Sequence, residues 1–231
     1  MKTRKELKVS ARKLMEGNFG KLFIVIFLPA ILIFLELLIT STTIYGISDD
    51  GMSEMMAILL LLVELVAVLA FTLVGIGIML TLFDFSRTGD ARFLTLKNVF
   101  RYFSRKGWAP FKIQFLINLF INLWALIPFV GWIMTPIKAY AYELSLFLYS
   151  EDGDQALPAT QYITRSRELM NGHKWDLFVL DLSFILWTIL GFITFGLAFI
   201  WIIPYQLLTR VEFYKNVKEK SEELEMDELA E

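Results

Sequence analysis

Three charged residues stand far inside long apolar stretches of this sequence: Glu36, Glu64 and Lys138. If such a stretch crosses a lipid bilayer, one charge near its centre costs about 2.5–3.5 kcal/mol on insertion scales, so these charges are usually paired or functional. A lysine there could meet an anionic group, and either glutamate could carry a proton or a cation. These residue types predict a binding cavity or an ion pathway, or else a buried salt bridge that holds helices together.

Amide side chains belong to the same candidate group. Asn118 and Asn122 follow Gln114 at four-residue steps, so a helix presents all three on one face. Measured from the cation-free ends of the apolar stretches, both glutamates lie about eight residues deep and the lysine about seven, which is about 10–12 Å of helix. We therefore predict one polar cluster in the outer half of a membrane bundle: Glu36, Glu64, Asn118, Asn122 and Lys138.

A second group of charges falls near the opposite ends of the apolar stretches. It comprises Asp84, Glu143, Asp181, Arg210 and Glu212. Long side chains at that depth reach water, which reduces the cost of their charge. We expect Arg210 to pair with Asp181 or Glu143, and we expect these inner-half ion pairs to serve the architecture more than a mechanism.

The sequence offers little for catalysis. His173 is the only histidine and there is no cysteine, so neither a histidine metal cluster nor a thiolate nucleophile can be assembled. It has no glycine-rich phosphate loop and no nucleophile elbow. We predict a non-enzymatic protein with no metal and no cofactor, and a carboxylate-only active site stays open as the alternative.

The composition indicates that lipid is the main solvent of this protein. Hydrophobic residues make up 56% of the 231 residues, above the roughly 45–50% apolar share of an ordinary soluble domain. Apolar runs cover residues 22–44 and 57–83, and each is long enough for the roughly 20 residues that one helical crossing needs.

Two further apolar regions, residues 111–149 and 177–214, are too long for one crossing each. Pro128 and Gly131 interrupt the first, and Gly191, Thr194 and Gly196 interrupt the second, as in tight helical hairpins. The prediction is an all-α, polytopic integral membrane protein with six transmembrane helices in three hairpins. They form a single domain of residues 1–220.

The positive charges give this arrangement a direction. The connections 45–56, 128–131 and 192–196 contain no lysine or arginine. By the positive-inside rule, the opposite side is the cytoplasm, so both termini are predicted to be cytoplasmic. A four-crossing alternative would turn Arg165 and Arg167 outward, against that rule.

Each predicted hairpin follows a basic amphipathic stretch. In the first, Leu7 and Ala11 share a face opposite Lys8, and residues 93–105 and 158–172 repeat this design. We expect three helices in the inner membrane interface, where anionic lipid headgroups attract each cation by about 1 kcal/mol. Ordinary anchoring and a docking platform for a protein partner both stay open. Because the membrane surface accounts for these cations, no nucleic-acid partner is expected.

The last residues differ in character from the rest. Residues 221–231 are rich in acidic side chains and poor in apolar ones. Such a segment cannot bury enough surface to offset the entropy of ordering. We predict a disordered acidic cytoplasmic tail.

One sequence pattern occurs twice. Residues 11–23 align without gaps with residues 166–178, with Arg, Leu, Met, Gly, Leu and Phe in common, and residues 103–111 are a weaker third copy. The chain is therefore predicted to contain three related units entering from the same side. Convergence on the same interfacial solution is the alternative.

The stretch SRELMNGHKW at residues 166–175 resembles the domain of unknown function 975 family of bacterial integral membrane proteins. A hydrophobic hairpin follows, and then IIPY at 202–205 and EFY at 212–214 extend the resemblance. The similarity begins at RKEL, residues 4–7, and excludes the acidic tail. It implies a six-helix fold in the bacterial cytoplasmic membrane and carries no catalytic residues to this chain.

These observations predict a non-enzymatic accessory or scaffold protein. Its expected partners are the bilayer, anionic headgroups at the cytoplasmic face and a possible protein. The alternative is a small gradient-driven transporter, or an ion- or solute-binding protein, that uses the outer polar cluster. The amphipathic stretches favour the former and the polar cluster the latter.

Overall fold

The computed structural model describes residues 2–48, 54–105, 108–152 and 157–230. Within these ranges the chain is all-α, as predicted, and contains no β-strand. The helices are α1 (Arg4–Met15), α2 (Phe19–Ser48), α3 (Glu54–Thr88), α4 (Leu96–Arg105), α5 (Ala109–Ala125), α6 (Val130–Tyr142), α7 (Ser145–Glu151), α8 (Ala159–Leu169), α9 (Lys174–Leu182), α10 (Ile185–Ile193) and α11 (Phe199–Ala230).

The helices follow one another as three units. Helix α1 precedes the packed pair α2 and α3, α4 precedes α5 and α6, and α8 precedes α9 and α10, which lead into α11. Two glycines allow close approach within these pairs. A Cβ atom on Gly131 would lie 2.5 Å from the Trp124 carbonyl oxygen, and one on Gly191 would lie 2.5 Å from the Phe199 ring. The predicted hairpin breakers therefore lie where the paired helices approach each other.

The two aligned stretches have the same turn. Gly17 and Gly172 both adopt left-handed backbone, with φ of 78° and 83°, which glycine does without a Cβ penalty. The amide after each glycine donates to the carbonyl of Met15 or Met170, at 3.0 and 3.2 Å. Both methionines are buried. Each stretch thus turns the chain from an amphipathic helix into the first helix of the following pair.

Helix α1 shows what covers an amphipathic face. A capping box starts it, because the Glu6 N–H donates to Thr3 Oγ1 and the Thr3 N–H donates to Glu6 Oε2. Leu7, Ala11 and Met15 are buried, and the helix packs mainly along α11. The predicted apolar face exists, but protein covers it, so α1 does not offer that face to lipid as expected for an interfacial helix.

Packing is uneven along the helices. Buried side chains come from α1, the N-terminal parts of α2, α4 and α5, the C-terminal part of α3, the segment from the end of α6 to α9, and the middle of α11. We call this part the packed end. At the other end, large apolar side chains are exposed on the pairs, and Trp132, Leu186 and Phe195 each keep at least 75% of their surface. We call that part the apolar arms.

Two helical segments of the described chain are long and apolar enough to cross a membrane, Ile58–Thr88 and Lys174–Ile193. The second comprises α9 and α10, with an interruption at Ser183 and Phe184. A shorter apolar helix covers Phe19–Pro29. The most apolar stretch of Ile58–Thr88 contains no buried residue, unlike the core helix of a soluble protein. These segments are fewer than the six predicted crossings.

The C-terminal segment differs from the prediction of a disordered tail at residues 221–231. Helix α11 continues through the predicted domain boundary to Ala230. Glutamate, leucine and methionine favour helix over coil, and Lys218 lies 3.6 Å from Glu222 one turn later. Solvent exposure of this segment is compatible with helix because the preceding turns are fixed by the core and no new nucleus is needed.

Candidate functional site

Charged and hydroxyl side chains of the inner half meet along one helix. Arg210, Tyr214 and Lys218 follow each other at four-residue steps on α11, so they lie on one face. Their partners come from α6, α7 and α9, and a neighbouring face of α11 meets α3. We call this set the α11 polar network: Ser86, Tyr140, Glu143, Glu151, Asp181, Arg210, Glu212, Tyr214, Lys215 and Lys218.

Arg210 binds two carboxylates at once. Its Nη1 donates to Glu143 Oε1 at 2.9 Å, while Nη2 and Nε donate to the two oxygens of Asp181 at 2.9 and 3.3 Å. The Tyr140 hydroxyl donates to Asp181 Oδ2 at 3.2 Å. A planar guanidinium matches carboxylates in this geometry, which makes such pairs strong and directional. The contact joins α9 and the C-terminal end of α6 to α11.

Glu212 is buried on the neighbouring face of α11. It accepts hydrogen bonds from the Ser86 hydroxyl at 2.6 Å and from Lys215 Nζ at 2.7 Å. Lys215 Nζ also donates to the Ser86 carbonyl at 3.2 Å. The buried carboxylate therefore has a counter-ion, and the contact joins α3 to α11.

Two more pairs complete the connections at the packed end. Glu151 accepts a hydrogen bond from the Tyr214 hydroxyl at 2.7 Å and also contacts Lys218 Nζ, which joins α7 to α11. Asp84 on α3 binds Arg101 on α4 at 2.9 Å. All five residues of the predicted inner group thus make an ion pair in the structure.

The ion pairs and hydrogen bonds of this network connect helices and do not resemble a site for a reaction. Each of its carboxylates has a cation within ion-pair distance and each of its cations has a carboxylate. Because Arg210 serves two carboxylates, the four carboxylates and three cations of the network leave one net negative charge, but each of these side chains has a counter-ion. Its members instead connect α3, α6, α7 and α9 to a single helix.

The predicted outer cluster is brought together only in part. Asn118 and Asn122 are exposed on α5, where Gln114 Nε2 donates to Asn118 Oδ1 at 3.2 Å and Asn122 Nδ2 donates to the Asn118 carbonyl at 2.8 Å. These amides are therefore bonded within their own helix. Lys138 Nζ lies 4.9 Å from the centre of the Trp124 ring, a cation–π contact between α6 and α5.

The glutamates of that cluster lie on the first pair. Glu64 is half-buried on α3, and the side chain of Glu36 lies outside the described residues. A pairing of Lys138 with either glutamate stays a prediction. The role of the cluster in binding or transport also stays a prediction.

His173 precedes α9 as its N-cap residue, and its Nδ1 lies 3.2 Å from Asp176 Oδ2. Both residues belong to the turn that follows Gly172. Over the residues that the structure describes, no three His, Asp or Glu side chains come close enough to hold a metal ion.

Sequence reasoning missed six of the ten residues of the network. The residues that were not predicted are Ser86, Tyr140, Glu151, Tyr214, Lys215 and Lys218. One readable signal was the four-residue spacing of Arg210, Tyr214 and Lys218, which continues one polar face beyond the apolar region. Ser86 and Glu151 carry no such signal, because their positions depend on how α3 and α7 pack.

Residues 130–221 match a protein family described as a protein of unknown function, DUF975. The matched part is about two fifths of the chain. It contains every member of the α11 polar network except Ser86. No curated protein and no solved structure matches the chain.

Proposed function

We propose that the protein acts through its architecture, as a non-enzymatic accessory or scaffold protein embedded in the bacterial cytoplasmic membrane. The family that residues 130–221 match is of unknown function, so the proposal rests on the structure. The observation that carries this proposal is the division of one molecule into a packed, charged end and exposed apolar arms. The arms suit lipid, and the packed end suits the cytoplasm and its proteins.

The arms support membrane insertion by their exposed surface. Soluble monomers rarely expose continuous apolar patches of more than a few hundred Å². Here α3 exposes successive apolar residues from Leu59 to Leu69, and the exposed residues Phe129, Trp132 and Phe195 lie at or near the turns of the other two pairs. Lipid tails would cover all of these surfaces at once, and six crossings would bring every arm into the bilayer.

The chain ends support a common side for both termini. The backbone N–H of Lys2 donates to Asn216 Oδ1 at 2.7 Å, and Lys2 Nζ lies 3.9 Å from Glu219. The first residues therefore lie against the middle of α11. Together with the cation-free connections at the arm ends, this contact favours a cytoplasmic position for both termini.

The accessory role is favoured because the charges of the network are already paired, whereas α11 offers an exposed acidic end. Glu222, Glu223 and Glu225 are exposed on a helix whose base is fixed in the core. A pre-formed helix loses little conformational entropy when it binds. We propose that this acidic end recruits a basic surface of a cytoplasmic protein.

The alternative, a small gradient-driven transporter or an ion-binding protein, draws its support from Lys138 and Glu64. Both are ionisable, both lie on apolar arms, and Lys138 makes no ion pair within the described part of the chain. A charge in that position is a functional candidate.

The membrane topology is tested by cysteine labelling in intact cells. Because the chain contains no cysteine, only the introduced cysteine can be labelled. Asp50→Cys lies in a connection outside the described residues, and Lys13→Cys lies on the exposed face of α1. A membrane-impermeant maleimide should label Asp50→Cys in intact cells and Lys13→Cys only after the cells are opened. Labelling of both in intact cells, or release of the protein from membranes by alkaline carbonate, would contradict the proposal.

The two roles are separated in reconstituted vesicles and in cells. A photo-crosslinking amino acid at Glu223 should give one discrete adduct with a second protein, and Glu222→Lys with Glu225→Lys should remove it. The same amino acid at exposed Arg92 is the control site and should give none. Two results together would refute the accessory role and favour transport. The first is that no adduct forms in cells. The second is that vesicles with the wild-type protein pass ions under a gradient, whereas vesicles with Lys138→Met do not.

A further inference from the structure

A basic pocket of about 490 Å³ lies beside α1, at the edge between the packed end and the apolar arms. We define it by Arg4, Lys5, Lys8, Arg12, Ser183 and Tyr205. The four cations come from the polar face of α1. The other wall is formed by the chain where α9 ends and by the first half of α11.

The cations of this pocket are poorly neutralised. Arg12 lies 3.6 Å from Glu16, in an exposed contact along α1. In the described part of the chain, Arg4, Lys5 and Lys8 form no ion pair with a carboxylate. The pocket therefore gathers positive charge on one side, and an anion placed in it would be attracted by all four side chains.

Lys8 is the cation that points deepest into the protein wall. Its Nζ donates to the Ser183 carbonyl at 3.2 Å and lies 4.2 Å from the centre of the Phe184 ring. Partial burial lowers the pKa of Lys8, because water that would stabilise the ammonium is displaced. A bound anion would restore the lost stabilisation of this charge.

A second pocket, of about 250 Å³, adjoins the first through Arg12 and Tyr205 and is completed by Trp187 and Trp201. Tryptophan and tyrosine are enriched at the level of lipid headgroups, where one end of the ring is apolar and the other is wet. Leu190 lies about one helical turn beyond Trp187 on α10 and is exposed, as are Leu186 and Ile189. The basic pocket is thus followed by an aromatic surface and then by exposed aliphatic side chains of α10.

We propose that the basic pocket binds the phosphate of an anionic phospholipid, with the glycerol region against Trp187 and Trp201 and the acyl chains along α10. The order of the three surfaces is the order of the three parts of such a lipid, which favours a lipid over a free phosphate ion. The inference rests on the proposed membrane location and adds a specific lipid partner to it.

The test uses the full-length protein in a non-ionic detergent, titrated with short-chain phosphatidylglycerol and followed by native mass spectrometry. Lys8→Gln should weaken binding at least about five-fold, the ratio that corresponds to about 1 kcal/mol for one cation near a membrane surface. Lys8→Arg should retain binding. Lys13→Gln, the same change on the same helix but outside the pocket, should change affinity less than two-fold.

Two further titrations distinguish the source of the anion. Short-chain phosphatidylcholine should bind at least ten-fold more weakly, because its head carries no net charge. Inorganic phosphate that binds as tightly as phosphatidylglycerol would overturn the lipid assignment, and equal effects of Lys8→Gln and Lys13→Gln would overturn the pocket. If binding fails while the cysteine labels still report insertion, only this site is refuted and the proposed membrane location stands.

Discussion

Replacing Arg210 with methionine tests whether the α11 polar network stabilises the packing of α6 and α9 on α11. Methionine keeps an unbranched apolar stem and removes the guanidinium, so Glu143 and Asp181 lose the cation that both of them share. Two nearby carboxylates are then left to repel each other. We expect a lower free energy of unfolding with little change in helix content.

The expected size follows from the burial of the three side chains. Removing one partner of a fully buried ion pair costs about 3–5 kcal/mol. The side chains of Arg210, Glu143 and Asp181 retain 28%, 23% and 15% exposure, so water replaces part of what is lost. We expect a loss of about 2–3 kcal/mol, below the range for full burial and above the roughly 0–1 kcal/mol of a surface pair.

The loss is measured by tryptophan fluorescence during unfolding of the purified protein in mixed micelles with rising dodecyl sulfate. Arg167→Met is the matched control, since Arg167 is exposed on α8, and its effect should stay within about 0.5 kcal/mol. Adding Glu143→Gln and Asp181→Asn to Arg210→Met removes the uncompensated charges. This triple variant should recover more than half of the loss.

The reasoning is refuted if Arg210→Met unfolds with the same free energy as Arg167→Met. It is also refuted if the triple variant is less stable than Arg210→Met, because the damage would then come from lost hydrogen bonds and not from unpaired charge.

Two further predictions concern α3 and α1. Gly77→Ala should lower the free energy of unfolding by about 1–3 kcal/mol, because its Cβ would lie 2.1 Å from the Val99 carbonyl oxygen. A Cβ on Gly75 would meet open space, so Gly75→Ala should raise that free energy by up to about 1 kcal/mol. Both variants are measured by the same unfolding assay, and equal effects would contradict the close α3–α4 contact. Hydrogen bonds from Thr3 hold the pKa of Glu6 below its usual range. The stabilisation by this carboxylate is therefore fully present above the unfolded pKa of about 4.3 and is lost as the pH falls through the lower folded pKa, whereas the bond from the Glu6 N–H to Thr3 Oγ1 does not titrate. Thr3→Ala should therefore cost about 1 kcal/mol at pH 7 and less below about pH 4, and a pH-independent cost in thermal unfolding would be evidence against the capping box.

Some helix boundaries were predictable because they have a local cause. Gly17 and Gly172 end amphipathic stretches in left-handed turns, and Gly131 lies at the close approach of α5 and α6. A position that only glycine can occupy is marked in the sequence by the glycine itself. The break between α9 and α10 was not predicted, since Ser183 and Phe184 fit an uninterrupted helix equally well.

What covers an apolar face could not be predicted. Leu7, Ala11 and Met15 repeat at helical spacing whether lipid or a second helix lies against them, and the structure places α11 there. A long-range contact of this kind joins residues some 200 positions apart and leaves no local signal. The packing of this face against α11 was therefore not predicted, whereas the position of α1 in the membrane interface stays a prediction.

The outer polar cluster shows a related limit. Residue counts fix how deep a side chain lies along its helix, but they do not fix the direction in which the helix turns it. Asn118 and Asn122 bond along α5, and Lys138 faces Trp124 across the hairpin. The pairing of Arg210 with Glu143 and Asp181 depends less on helix rotation. An arginine side chain is long enough to reach a carboxylate over a range of helix orientations.

Helix α11 has a mechanical consequence. Pro204 lacks the N–H that would bond to the Ile200 carbonyl, so the hydrogen bonds of α11 are interrupted at this turn. From Tyr205 onward the helix continues without interruption for about 39 Å. The α11 polar network fixes the first half of this segment to α3, α6, α7 and α9, and the second half extends away from the core. A partner that tilts the helix near Ala230 would therefore move the three helix pairs together, through the network, without contacting any of them.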